Sequence, residues 1–190
     1  WLESLGPDHP RIASAYHGTG AAYAGKGAFG RAIANYDAAL EIWLEKFGLE
    51  HPDVATCYNN LGLAHDNDED HAKAIPCHEK ALAIRLKTLG AEHPDVATSY
   101  NNLGSAYDNN TEYDKAIDNH GQALAIWLKT VGPEHPAVAT TYNNGAGAYS
   151  RKGDYDKAVN YYEKCLAIEL KTLGPTHPDL ATTYNNLGSA

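Results

Sequence analysis

The chain has 190 residues, a formal net charge of −9, three cysteines and no methionine. Its acidic residues are spread along the sequence, which argues against a nucleic-acid backbone or an anionic membrane as partner, because either requires a basic face. No run is apolar for long enough to span a bilayer. Cys57, Cys77 and Cys165 show no CxxC spacing and fall at three different points of the pattern below, as expected of reduced thiols packed as small apolar residues in a cytoplasmic protein.

The segment Gly6-Pro7-Asp8-His9-Pro10 recurs as Gly48 to Pro52, Gly90 to Pro94, Gly132 to Pro136 and Gly174 to Pro178, each copy 42 residues after the last. A fixed period of this length predicts a solenoid, in which each unit stacks on its neighbours. We expect one array over residues 1–190. Residues 1–9 end a preceding repeat, residues 10–48, 52–90, 94–132 and 136–174 form repeats 1 to 4, and residues 178–190 begin a fifth. With repeat fragments at both ends, the chain reads as a slice of a longer array.

Repeat 1 keeps Tyr16, Gly20, Tyr23, Ala32, Tyr36 and Ala39, but has Thr19 at an apolar position and His17-Gly18 where later repeats have paired asparagines. It is expected to lack their ladder. Repeat 2 carries Asn59-Asn60 and places Pro76 inside its second helix, a site expected to bend. Repeat 3 is the most regular. His93 is expected as an N-cap, Pro94 as the first helical residue and Asp95 in the first turn. Tyr100, Leu103, Gly104 and Tyr107 then lie on one face, and the helix ends near Asp108-Asn109-Asn110. A second helix is predicted from about Glu112 to Val131, with Ala116 and Ala123 as the small residues that let two helices approach closely. Repeat 4 reads Asn143-Asn144-Gly145-Ala146-Gly147, so the core leucine is missing and a destabilising void is expected.

The pattern of an aromatic residue, Leu-Gly and Tyr on the first helix, followed by Ala, a ring and Ala on the second, resembles the tetratricopeptide repeat. Repeat 3 shows it as Tyr100, Leu103, Gly104, Tyr107, Ala116, His120 and Ala123, and repeat 2 as Tyr58, Leu61, Gly62, His65, Ala74, His78 and Ala81. The 42-residue form, with its Gly-x-x-His-Pro turn and Asn-Asn-Leu helix, looks like the repeats of kinesin light chains. The resemblance implies an all-α, right-handed superhelical solenoid of antiparallel helix pairs whose first helices line a concave groove. It also implies a module for protein interaction rather than catalysis.

The candidate binding residues are Asn59, Asn60, Thr98, Asn101, Asn102, Ser105, Asn143, Asn144 and Asn186. An asparagine amide both donates and accepts, so a row of them suits the backbone of an extended peptide. The second asparagine of each pair is the better placed for this, and the resemblance to kinesin light chains points the same way. The competing reading is that the asparagines bridge adjacent repeats. Thr56, Thr140, Leu63, Gly147, Asp66, Asp108 and Arg151 complete a groove expected to be polar and scarcely basic, suited to a neutral or mildly basic protein or peptide segment.

Five of the ten histidines are His-Pro turn residues, too far apart to share an ion, and the cluster of His65, His71, Cys77 and His78 has mixed spacing. Asp66 to Asp70 resembles the start of a calcium loop, but His71 replaces the required glycine. No metal or cofactor is therefore expected, and neither a nucleophile elbow nor a phosphate loop is present. Trp43 and Trp127 share a register with Arg85 and Glu169, which places the tryptophans on an outer or edge surface. A structural spacer or an end-to-end self-assembling scaffold is the alternative function.

Overall fold

Each of the first four His-Pro pairs starts a helix. The Nδ1 atoms of His9, His51, His93 and His135 accept hydrogen bonds from the backbone N–H two residues on, at 3.1–3.2 Å. The proline occupies the first turn, where its missing N–H leaves nothing unpaired. The computed structural model describes Gly6 and residues 8–189. Among the described residues it contains nine α-helices and no strand: α1 Pro10–Gly25, α2 Phe29–Phe47, α3 Pro52–Asn67, α4 His71–Leu89, α5 Pro94–Asn109, α6 Tyr113–Thr130, α7 Pro136–Lys152, α8 Tyr155–Leu173 and α9 Leu180–Ser189. Pro76 lies within α4, which continues through it as one helix. The chain divides into two compact units, one reaching to Gly90 and the other starting at Ala91.

The first unit packs α1 on α2, α3 on α4, and α2 on α3. Ala32, Ala39, Ala74 and Ala81 are fully buried, small enough for helix axes to approach. Gly20 and Gly62 serve the same end on the first helices: a Cβ there would lie 2.8 Å from the Tyr36 ring and 2.6 Å from the His78 ring. Cys57 is buried and donates its thiol to the Tyr36 carbonyl at 3.3 Å, and burial pushes its pKa up to about 12. Cys77 is pushed up to about 11 for the same reason. Trp43 departs from its expected surface position. It is 4% exposed and packs in the core that contains Val54, Ala55 and Tyr58. Its register faces the next hairpin of the same unit, which the whole ring covers.

The second unit pairs α5 with α6 and α7 with α8, packs α6 on α7, and sets α9 on α8. Ala116, Ala123, Ala158 and Cys165 repeat the small, fully buried positions. Trp127 is half-buried and stacks 6.3 Å from the His135 ring. Glu169, at the same register, accepts from the Thr183 hydroxyl at 2.6 Å, which explains why a carboxylate is tolerated there. The expected void at Gly145 is absent. A Cβ on Gly145 would meet the Tyr161 ring at 3.1 and 3.2 Å. Tyr161 stands where repeat 3 has Asn119, and its ring meets Tyr142 and Tyr149 edge-on, with centroids 5.3 and 5.1 Å away. An aromatic side chain from the second helix thus occupies the space that Leu103 fills in repeat 3, where that leucine is 4% exposed.

The turns inside the hairpins share a strained position. Gly27, Glu69, Thr111 and Gly153 have φ of 72°, 62°, 63° and 88°. This left-handed conformation is free for glycine, while a branched side chain such as Thr111 resists it. His120 is the other unusual buried group. It is 1% exposed, donates from Nδ1 to Asn101 Oδ1 at 3.1 Å, and leaves Nε2 buried without a partner. Burial lowers its pKa to about 4.

Three outcomes follow from this packing. Thr111→Gly should raise unfolding free energy by about 1 kcal/mol in urea titration, since it relieves the left-handed strain. Gly145→Leu should lower the melting temperature, through overpacking worth about 1–3 kcal/mol. Adding Tyr161→Asn, which recreates the repeat 3 pair, should restore it. The unfolded chain binds a proton on His120 below about pH 6.5, whereas the folded chain resists until about pH 4. Stability is therefore full above pH 6.5 and declines as pH falls towards 4. His120→Tyr, which copies Tyr36, should remove this part: the loss of stability between pH 7 and pH 5 should be smaller than wild type by about 2 kcal/mol.

Candidate functional site

The first helices of neighbouring hairpins lie side by side, α1 with α3 in the first unit and α5 with α7 in the second. The candidate residues are on these helices and on α9. Thr98 and Ser105 are half-buried, and their hydroxyls donate to the carbonyls of Pro94 and Asn101 one turn back, at 3.2 and 3.1 Å. Each oxygen keeps a lone pair for another donor.

The asparagines form a ladder between repeats. Asn144 Nδ2 donates to Asn101 Oδ1 at 3.4 Å, and Asn186 Nδ2 donates to Asn143 Oδ1 at 3.2 Å. In the first unit Asn60 Nδ2 lies 2.9 Å from His17 Nε2, which accepts. Every rung joins the first position of one repeat to the second position of the next, 43 residues on. His17 thus continues the ladder that repeat 1 was expected to lack. The signal was its register with Asn59, because a neutral imidazole offers the same acceptor as an amide. Burial holds the His17 pKa down, which keeps that acceptor available.

The two members of each pair differ in exposure. Asn59 is 7% exposed and donates to Asn60 Oδ1 at 3.4 Å, whereas Asn60, Asn102, Asn144 and Asn186 are half-buried. Bridging between repeats is thus an observed role of Asn60, Asn101, Asn143, Asn144 and Asn186. Each bridging Nδ2 spends one of its two N–H groups on its neighbour.

Acidic groups at the ends of the first helices are held in two different ways. Asp66 receives two rings, with His71 Nδ1 at 3.0 Å on Oδ1 and His78 Nε2 at 3.2 Å on Oδ2. The resemblance of residues 66–70 to a calcium loop ends there, since Asp70 also pairs with Lys73. Asp108 occupies the register of Asp66, but Tyr113 stands in place of His71, and His120 turns to Asn101. The Asp108 carboxylate instead pairs through Oδ2 with Arg151, and its Oδ1 is buried without a partner. Burial raises the Asp108 pKa against the opposing pull of Arg151.

Two openings on these faces have different chemistry. In the first unit a cavity of about 410 Å³ is lined by Ala21, Ala24, Phe29, Tyr36 and Leu63, with Asn60 and Asn67 at its polar side. The groove is therefore less polar here than its sequence led us to expect. In the second unit a cavity of about 260 Å³ is lined by Ser105, Asp108, Asn144, Arg151, Tyr162 and Asn186 among others. Lys87, Lys129 and Lys171 pair with Glu50, Glu92 and Glu134, clasping the ends of α4, α6 and α8 to the turns that open their repeats. All six side chains are largely exposed, so each pair contributes at most about 1 kcal/mol. No group of three His, Cys, Asp or Glu among the described residues is placed to hold a metal ion. None of the described helices is long and apolar enough to cross a membrane.

Comparison with known proteins agrees with this geometry. A tetratricopeptide repeat family model matches residues 26–87, 63–111, 109–171 and 146–190. No curated protein sequence matches the chain. Among solved structures, the nearly identical TPR-like repeats assigned to a kinesin light chain of Podosopora anserina superpose with a TM-score of 0.82 at 28% identity, over 95% of this chain and 86% of that one. BtubC from P. vanneervenii gives 0.79 at 28% identity, over 89% of this chain and 67% of its own. RapI in its apo form gives 0.76 at 20% identity, over 90% of this chain and 46% of its own, a likeness of fold. The chain belongs to the tetratricopeptide repeat family, in its kinesin-light-chain-like form, a fold that serves as a protein-interaction or scaffold module and is generally non-catalytic.

Proposed function

We propose that the chain binds an extended, neutral to mildly basic peptide segment of a partner protein along its first helices, in the cytoplasm. The observation that carries this is the ladder. Its rungs hold Asn60, Asn144 and Asn186 in place before a ligand arrives, each with an N–H group beyond the one used for bridging. Preorganised amides spare a flexible peptide part of the entropic cost of binding. Asn102 lies at the same register, and Thr98 and Ser105 add hydroxyl oxygens beside it. Arg151, which lines the cavity of the second unit, is already paired with Asp108, which disfavours an acidic ligand there.

The rungs also support a second reading, a spacer or self-associating scaffold in which the asparagines only tie repeats together. One experiment separates the two. A random peptide display is selected against the wild-type chain and against the triple change Asn60→Ala, Asn102→Ala, Asn144→Ala, with helicity and melting temperature measured for both. Enrichment of peptides by wild type and its loss in a folded triple mutant is the expected result. Failure to enrich, or equal binding by the mutant, would leave the scaffold reading.

A further inference from the structure

We propose that the apolar cavity of the first unit is an anchor subsite that takes one large, uncharged apolar side chain of the bound peptide: leucine, methionine or phenylalanine. This rests on the peptide-binding reading above and names a residue that the peptide must carry.

Three coordinated differences between repeats 1 and 2 create the site. In repeat 2 the corner between the first and second helices is polar, because Asp66 receives the rings of His71 and His78, one on each oxygen. In repeat 1 the same three positions are Ala24, Phe29 and Tyr36. The carboxylate has gone together with both imidazole donors, so the polar network is lost as a whole and no half of it is left unsatisfied. A cavity of about 410 Å³ lies beside these three residues, with Ala21 of α1 and Leu63 of α3 completing its apolar wall.

That wall can be reached from solvent. Leu63 is 38% exposed, Ala21 is exposed, and Ala24 and Phe29 are half-buried. Stacking does not require a leucine here, since its register is Ser105 in repeat 3 and Gly147 in repeat 4. Leu63 stands one turn from Asn60 on the same face of α3. Asn60 lines the cavity and is also the amide that lies 2.9 Å from His17 in the ladder. A peptide whose backbone meets the second N–H of Asn60 therefore has the cavity within reach of a side chain.

The lining selects among side chains. Among the described residues it holds no Asp, Glu, Lys, Arg or His. A charged side chain entering it would give up hydration without meeting an opposite charge, which is costly. Its polar side consists of Asn60 and Asn67, and Asn67 already donates to the Leu63 carbonyl at 2.7 Å. A small side chain such as alanine would leave most of the space to water and gain little, because the gain scales with apolar area removed from solvent. A long aliphatic or aromatic side chain covers its own surface and that of Leu63, Phe29 and the two alanines together.

The test uses the full chain and the peptides enriched from random display. The expected result is a position fixed as Leu, Met or Phe. Exchange of that residue to Ala in a synthetic peptide should weaken binding about tenfold or more by isothermal titration, and exchange to Asp or Lys should weaken it further. Leu63→Ser copies repeat 3 and removes part of the wall, while Ala21→Leu copies repeat 2 and fills the space from an exposed position. Each should reduce the preference for the large residue over Ala to about twofold, with the peptide still bound through its other residues. Ala21→Leu should melt no lower than wild type, which keeps the test independent of folding. Enriched peptides without a large apolar position, with a charged residue fixed instead, or with an apolar preference that survives either variant would overturn the subsite and leave the groove reading standing. If no peptide is enriched at all, both readings fall.

Discussion

A two-helix hairpin of this kind carries more apolar surface than its own contact can bury, so it is stable only when another hairpin covers the remainder. Most regular features of the molecule answer to that constraint. The alanines at 32, 74, 116 and 158 bring the helices of one hairpin together, and the valines at 54, 96 and 138 pack the starts of α3, α5 and α7, all fully buried. The polar rungs follow the same rule. A half-buried amide on the first helix must find a partner, and the stacked neighbour supplies it 43 residues away.

The repeats tolerate irregular residues when the lost function is supplied from another point in the same stack. Gly145 removes a leucine, and Tyr161 from the facing helix closes the gap. His17 interrupts the asparagine pattern, yet presents an acceptor to Asn60. Cys165 replaces an alanine and remains fully buried, with its thiol pKa pushed up to about 12 by that burial. In each case volume or hydrogen-bonding capacity is retained while the residue type changes. The frame is therefore conserved in its physics more strictly than in its letters.

The same comparison shows where the frame is left incomplete. Asp66 is satisfied on both oxygens and closes its corner of the first unit. Asp108, at the same register, is satisfied on one, and Gly147 keeps space beside it. Two repeats with nearly the same backbone therefore present different chemistry at matching positions of their first helices. An array can vary its polar chemistry in this way without disturbing how it stacks, because the atoms that differ are not those that bury the apolar surface.

Much of this was legible in the sequence. The 42-residue spacing of Gly-x-x-His-Pro set the helix starts, because capping and the proline's place in the first turn are local effects of adjacent residues. The paired asparagines marked the polar face, since their register could be counted. Tertiary structure alone decided the partners. Whether the His120 ring turns to Asn101 or to Asp108, whether Trp43 is covered, and whether Tyr161 reaches Gly145 depend on how closely hairpins approach and on which rotamers that spacing admits. Those distances arise between residues 11 to 19 positions apart, where linear spacing no longer dictates geometry and packing does.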